Sequence, residues 1–368
     1  MVILQVIRSR NFAGSEQFML TLSKALVRRG HRSIAAIIPG GRLEKICREE
    51  GLEIAPVSAS SWFAASRLAE WARTAGVEVV HTHLTGAARL GLDVAARLDI
   101  PCVSHLHIYR ADKAYGAVAA YPKGKLVGVS RHVAAFYEKS LNLPAGSVPA
   151  VMNSTFVQEN PFAAYAKARA AEEIRTELSL PPETRLLLLA GRLSEGKGQD
   201  VMLDAMPGIL AKHPEAHLLL AGTAKRGSFV RWKLERQAKK LGVAGNVHFL
   251  GFRRDGARLM RAAEVCLLPS RGDVMPLVAI ESMMLGACLV ASEVCGVPEL
   301  VHDGETGVLV PPENPERLAG AVLTLLDERA KAAAIGANAA NFAKEVCSPD
   351  VLAAKIEAIY KALLGSGS

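Results

Sequence analysis

Short apolar segments rich in β-formers alternate with amphipathic helical ones, stop after Asn153 and start afresh at Arg185. This is the feature that most narrows what the chain can become. Strand patterns fall at residues 2–7, 33–38, 77–81, 101–105 and 125–129, and again at 186–190, 217–221, 247–250, 264–268, 288–291 and 308–310. Alternation at such spacing predicts an α/β chain with doubly wound parallel sheets, because parallel strands need a crossover helix between them. At 368 residues the chain is also long for one core, so two domains are expected.

The interruption gives the boundaries. Residues 1–155 form the first expected domain, and 156–183 an Ala-rich, charged linker ending in Pro181 and Pro182, with a helix over 163–178. Residues 184–347 form the second domain. From Pro315 onward the pattern is helical, and its last segment, 348–364, carries Val351, Leu352, Ile356, Ile359, Tyr360 and Leu363, enough to pack back on the first domain. Ligands of such sheets sit outside the carboxyl ends of the strands, which predicts a cleft between the halves. Near the amino terminus Ser15 is the expected N-cap of a helix reaching about Arg29.

Two stretches carry chemistry. In LLLLAGRLSEGKGQD, residues 186–200, a buried strand ends at Gly191. Arg192 and Lys197 flank a loop that Gly196 and Gly198 keep free of side chains before a helix begins near Gln199. Backbone N–H groups, the positive helix end and two cations suit a diphosphate; the spacing is not that of a Walker loop. In the second stretch, residues 265–299, a strand ends at Pro269, the polar loop Ser270, Arg271, Gly272, Asp273 follows, and a helix starts near Pro276 and holds Glu281. Pro276 leaves the N–H groups of Leu277 and Val278 free, and Glu281 is placed to accept from the hydroxyls of a ribose. Taken singly, Asp273 reads as a helix cap and Glu281 as a solvated helix position. Taken with Arg192 and Lys197, they fit a nucleoside diphosphate.

G-R-L-x-x-x-K-G at 191–198, the acidic pair Asp273 and Glu281, G-V-P-E at 296–299 and D-G-E-T-G at 303–307 resemble the retaining nucleotide-sugar glycosyltransferases of the GT-B fold, glycosyltransferase family four. The resemblance implies two facing Rossmann-like domains with a deep cleft between them, and a nucleoside-diphosphate sugar as donor substrate with no other cofactor and no metal. It also implies a glycan or glycolipid acceptor of the cell-surface polysaccharide or lipopolysaccharide type. On it, Arg192 and Lys197 hold the departing diphosphate, Glu281 the ribose, and Asp273 with Met275, Pro276, Leu277 and Val278 the donor sugar and phosphates. Backbone near Gly251 and Phe252 meets the base, Gly14 stands where a glycine-rich loop approaches the donor, and His107 faces the reacting sugar. The chain departs from the family in having Asp273 where glutamate is usual, and a single Gly14 followed by Ser15 where glycines are often paired.

His81, His83, His105 and His107 form H-T-H and H-L-H pairs at successive strand ends, read as cleft-lining hydrogen-bond donors or, less favoured, metal ligands. Residues 108–124, with Tyr109, Tyr115 and Tyr121 beside Arg110, Lys113 and Lys123 and followed by Lys125, form a loop long enough to be an acceptor lid or a plain solvated loop. A net charge of +8 favours anionic partners. Peripheral membrane docking is placed on Lys24, Arg28, Arg29, His31 and Arg32, while residues 225–240 read as a surface helix with a solvated basic face. Aromatic residues at 5% argue against single-stranded nucleic acid as partner. Six scattered cysteines read as reduced, and no signal or spanning segment is visible, so a cytoplasmic protein is expected, at the inner membrane face if it docks. A nucleotide-sugar epimerase on the same scaffold and a non-catalytic basic binding module are the competing functions.

Overall fold

The computed structural model describes residues 1–57, 63–110 and 112–365, Pro56 by its backbone alone. The chain divides into two compact units, Met1–Thr155 with the C-terminal segment from Cys347, and Phe156–Val346.

In the first unit β1 (Val2–Ile7), α1 (Gly14–Arg28), β2 (Arg32–Ile37), α2 (Arg42–Glu49), β3 (Glu53–Pro56) and α3 (Ala64–Thr74) are followed by β4 (Val79–His83), α4 (Thr85–Leu98), β5 (Cys102–Leu106), α5 (Lys113–Ala120), β6 (Gly124–Gly128) and α6 (Arg131–Ser140). The six strands are parallel in the order β3-β2-β1-β4-β5-β6. The central strands are buried on both faces because helices cover the sheet, and their polar members, Gln5, His81, Thr82, His83, Ser104 and His105, are buried with them. Ile3, Leu4, Val6 and Ile7 of β1 are all fully buried.

The second unit begins with two 3₁₀ turns, Val157–Glu159 and Pro161–Ala164, and α7 (Lys167–Glu177). Then come β7 (Arg185–Ala190), α8 (Gln199–Leu210), β8 (Ala216–Ala221), α9 (Val230–Lys240), β9 (Val247–Gly251), α10 (Gly256–Ala262), β10 (Val265–Leu268), α11 (Leu277–Met284), β11 (Leu289–Ser292), β12 (Val308–Val310), α12 (Pro315–Asp327) and α13 (Arg329–Cys347). The order β12-β11-β10-β7-β8-β9 is again all parallel. Leu187, Leu189, Met202, Met206, Leu218, Leu220 and Val290 lie in one continuous core on a face of this sheet. Residues 156–183 belong to this unit, tied to it by Arg258 and Arg253, which pair with Glu173 and Glu177. α14 (Pro349–Gly365) packs on α1, and its Glu357 meets Arg29 at 2.6 Å.

Three local expectations change. Ala13, not Ser15, is the N-cap residue of α1, and the Glu16 carboxylate turns back to accept from the Ala13 N–H at 3.1 Å. The helix expected over 163–178 starts at Lys167, since the Pro161 turn precedes it. The 108–124 stretch is not an open lid: α5 occupies its centre as the crossover from β5 to β6, and Ala111 lies outside the described residues. Tyr115 is fully buried against Tyr137, with ring centroids 5.2 Å apart, and Lys123 pairs with Asp99, so these two residues hold the segment in place.

Candidate active site

In the second sheet the chain runs outward from β7 through β8 to β9 and then returns to place β10 on the other side of β7. The strand order reverses between β7 and β10, and loops leaving the carboxyl ends of two such strands splay apart and leave a crevice. Those two loops are residues 191–198 and 269–276, the stretches that the sequence marked.

The structure binds them together. Gly198, at φ +67, approaches Pro269 so closely that a Cβ there would lie 1.8 Å from the Pro269 carbonyl oxygen. The Arg271 N–H donates to the Gly196 carbonyl at 3.0 Å. The Arg271 guanidinium reaches the Glu195 carbonyl, holds both oxygens of Asp200 at 2.9 and 2.7 Å, and donates to Glu313 at 2.8 Å. Gln199, almost fully buried, braces the first loop from within by donating to the Arg192 carbonyl at 2.9 Å.

Lys197 and Asp273 meet across the two loops, with Nζ 2.7 Å from each carboxylate oxygen. Neither is deeply buried, at 25% and 15% exposure of the side chains, so the pair can open to an anion at modest cost. Asp273 therefore does not cap α11, whose N-cap is Pro276 with no side-chain hydrogen bond. Arg192 is exposed and has no ion-pair partner among the described residues, so its charge is uncompensated.

The two helix starts differ. Asp200, held by Arg271, sits by the first N–H groups of α8, and these contacts keep its carboxyl low despite desolvation. α11 has no such carboxylate, and Leu277 and Val278 open its first turn half-buried, behind the buried Met275 and Pro276. Glu281 lies one turn further along, also half-buried. Phe252 stands apart: it follows the edge strand β9, with β8 between it and the switch point, and is 56% exposed.

Gly14 and His107 belong to the first unit. Gly14 opens α1, and a Cβ there would meet nothing within 4 Å, so packing inside the chain does not require glycine. Gly41 does answer to packing: a Cβ would press on Arg10, which fixes the loop after β1. His107 follows β5 and is 8% exposed.

Four imidazoles converge here, because i and i+2 share a face on β4 and at the end of β5. His81 stacks on His83 and on His105 at 4.8 and 5.5 Å, and His105 on His107 at 5.0 Å, with Phe18 of α1 against three of them. His81 Nδ1 lies 2.5 Å from the hydroxyl of Tyr360 on α14. Gln5 Oε1 lies 2.8 Å from His83 Nε2, and His83 Nδ1 3.2 Å from His107 Nε2. With the Gln5 carbonyl accepting, His83 carries its proton on Nε2 and accepts at Nδ1, so His107 donates from Nε2 and keeps its lone pair on Nδ1. Desolvation, reinforced by mutual repulsion except at His107, keeps all four neutral: His81 and His107 fall to about 3 and the other two well below the usual value. Among the described residues no group of three or more His, Cys, Asp or Glu has metal-holding geometry.

Sequence reasoning missed Arg271, Asp200 and Gln199. Arg271 and Asp200 are 71 positions apart, and nothing local to either marks the other as its partner.

Residues 170–342 match the family model described as glycosyl transferases group 1, and residues 12–148 the model for glycosyltransferase family 4. A D-inositol 3-phosphate glycosyltransferase of Xylanimonas cellulosilytica is 32% identical over 373 residues, covering 89% of this chain and 87% of that protein. Another bearing the same name, from Segniliparus rotundus, is 30% identical over 79% of this chain and 67% of its own length. The crystal structure of Anabaena HepE in complex with UDP and glucose superposes with a TM-score of 0.84 over 98% of this chain and 99% of its own, at 20% identity.

Proposed function

This chain belongs to the family 4 glycosyltransferases of the GT-B fold, and on that premise we propose that it moves a sugar from a nucleoside diphosphate to a glycan or glycolipid acceptor with retention at the anomeric carbon. The observation that carries the donor reading is the pairing of Lys197 with Asp273 across the β7/β10 switch point, beside the unpaired Arg192 and the uncapped start of α11. A diphosphate takes on negative charge as the glycosidic bond breaks. Arg192, the N–H groups of Leu277 and Val278, and a Lys197 released from Asp273 bind the departing group more strongly than the intact donor, which is what lowers a barrier. Glu281, on α11, accepts from the ribose hydroxyls, and the backbone at Phe252 meets the base.

Retention follows from front-face attack. The acceptor oxygen bonds to the anomeric carbon on the side the diphosphate leaves, and the diphosphate oxygen takes the acceptor's proton. A front-face path needs no carboxylate nucleophile, so Asp273, freed of Lys197, is left to meet the donor sugar and no glycosyl-enzyme forms. The chemistry needs no metal, since cations and helix N–H groups already oppose the phosphate charge. The UDP of the Anabaena structure supports uridine as the first base to test. The names of the relatives and the net charge of +8 support a phosphorylated polyol or anionic glycolipid as acceptor. Lys197→Ala and Glu281→Ala are expected to lower kcat/KM for transfer by at least about a hundredfold, with circular dichroism unchanged. A folded double variant that still transfers sugar overturns these roles.

A further inference from the structure

The cations near the start of the first unit are largely neutralised. Lys24 meets Glu50 at 2.5 Å, Arg29 meets Glu357 at 2.6 Å and Arg32 meets Glu53 at 2.7 Å. His31 is 9% exposed beside Glu357. That cluster is not the open basic patch its sequence suggests. The outward face of α9 differs in that its last two lysines have no such partner among the described residues.

α9 has two faces of different character. Leu234 and Ala238 are buried, and with Val230 and Leu241 they pack on the core of the second unit. At 100° per residue, Phe229, Trp232, Lys233, Arg236, Lys239 and Lys240 fall within about 120° of the opposite side, and all six are exposed. Phe229 is 74% and Trp232 55% exposed, among the most exposed large apolar side chains described. The one acid of the helix, Glu235, lies outside this stripe and is paired with Arg231, and Lys233 lies 3.7 Å from Glu195 in a pair exposed at both ends, which costs little to exchange for another anion. Lys225 and Arg226 precede it, so seven cations and one carboxylate between 225 and 240 give +6, most of the net +8 of the chain. Lys239 and Lys240 have no ion-pair partner among the described residues, and Arg236 lies over the Trp232 ring at 5.4 Å.

We propose that the outward face of α9 docks this protein on an anionic lipid bilayer, with Phe229 and Trp232 entering the headgroup region and Lys233, Arg236, Lys239 and Lys240 meeting lipid phosphates. Phenylalanine at this exposure forms no hydrogen bond and gains only by leaving water, and tryptophan partitions to the membrane interface. Long basic side chains hold their charges at phosphate level while their stems follow the apolar rings inward. A single convex helix suits a plane, whereas stacked bases need a groove to track the strand. The inference is independent of the donor chemistry; it concerns where the enzyme works.

The test is co-sedimentation of the full chain with phosphatidylcholine vesicles and with vesicles containing about 30% phosphatidylglycerol, alongside polyuridylate binding. Expected are binding to the anionic vesicles alone and a blue shift of tryptophan emission that Trp232→Phe removes. Phe229→Ser/Trp232→Ser and Lys239→Glu/Lys240→Glu should each weaken vesicle binding by about tenfold or more, with transfer to a soluble acceptor unchanged. Equal binding to both vesicle types, or binding that survives either double variant, overturns the proposal. So does capture of polyuridylate in preference to vesicles.

Discussion

The four stacked histidines show what burial does to single residues. Imidazoles that titrate near 6.5 in an unfolded chain are held neutral here, His81 and His107 down to about 3. Because the folded values are depressed, the unfolded chain binds more protons below about pH 6.5. Stability is therefore full above that value and is lost as the pH falls towards the folded values. Each imidazole contributes a slope of up to about 1.4 kcal/mol per pH unit. Urea midpoints between pH 7.5 and 5 are expected to fall steeply, and His105→Leu, which deletes the imidazole with the poorest hydrogen bonding, to flatten the slope by one group's share. An unchanged slope in that variant would mean that His105 is not buried as described. At this scale the sequence was partly legible. H-T-H and H-L-H announced a shared face, but that they pack as a closed array against Phe18 and Tyr360 depends on α1 and α14, which no local pattern links to β4 or β5.

At the scale of elements, the two site loops are strand-to-helix connections whose positions follow from periodicity alone. The strand at 186–190 and the helix from Gln199 were readable because leucine runs and glycines have few other uses. The contact between the loops was not. Gly198 is the hinge of that contact, with a positive φ and a backbone carbonyl where a side chain would stand. Gly198→Ala is expected to cost more than about 1 kcal/mol, from left-handed strain together with the clash. It should separate the 191–198 loop from the 269–276 loop and raise the Kd for a nucleoside diphosphate several-fold. Calorimetric unfolding and nucleotide titration check both. Gly196→Ala, where a Cβ meets nothing within 4 Å, is the control and should leave stability nearly unchanged. The 108–124 stretch shows the opposite failure: tyrosine and lysine among small residues look like a surface loop until burial of Tyr115 makes them a helix.

For the whole molecule, the chain passes between units twice, after Thr155 and again before Cys347, so the last helix belongs with the first residues. α14 buries Leu352, Ala353, Ile356 and Tyr360. At roughly 1.5–3 kcal/mol for each large apolar side chain, its loss is comparable to the stability of a domain. Truncation after Cys347 is therefore expected to expose residues 1–155 to limited proteolysis while a fragment spanning 156–346 persists. Equal resistance of both units would show that α14 is dispensable. No described helix is long and apolar enough to cross a membrane. By itself the sequence determined two parallel α/β sheets, the loops that carry Arg192, Lys197 and Asp273, and the helix that carries Glu281, because periodicity, turn residues and helix starts are local physics. Only the tertiary structure decided that Lys197 closes on Asp273, that Arg271 holds Asp200, and that Lys24, Arg29 and Arg32 are matched while Lys239 and Lys240 of α9 face water. Those outcomes depend on which distant side chains the sheets bring within a few ångströms, and that is not encoded in any one stretch of the chain.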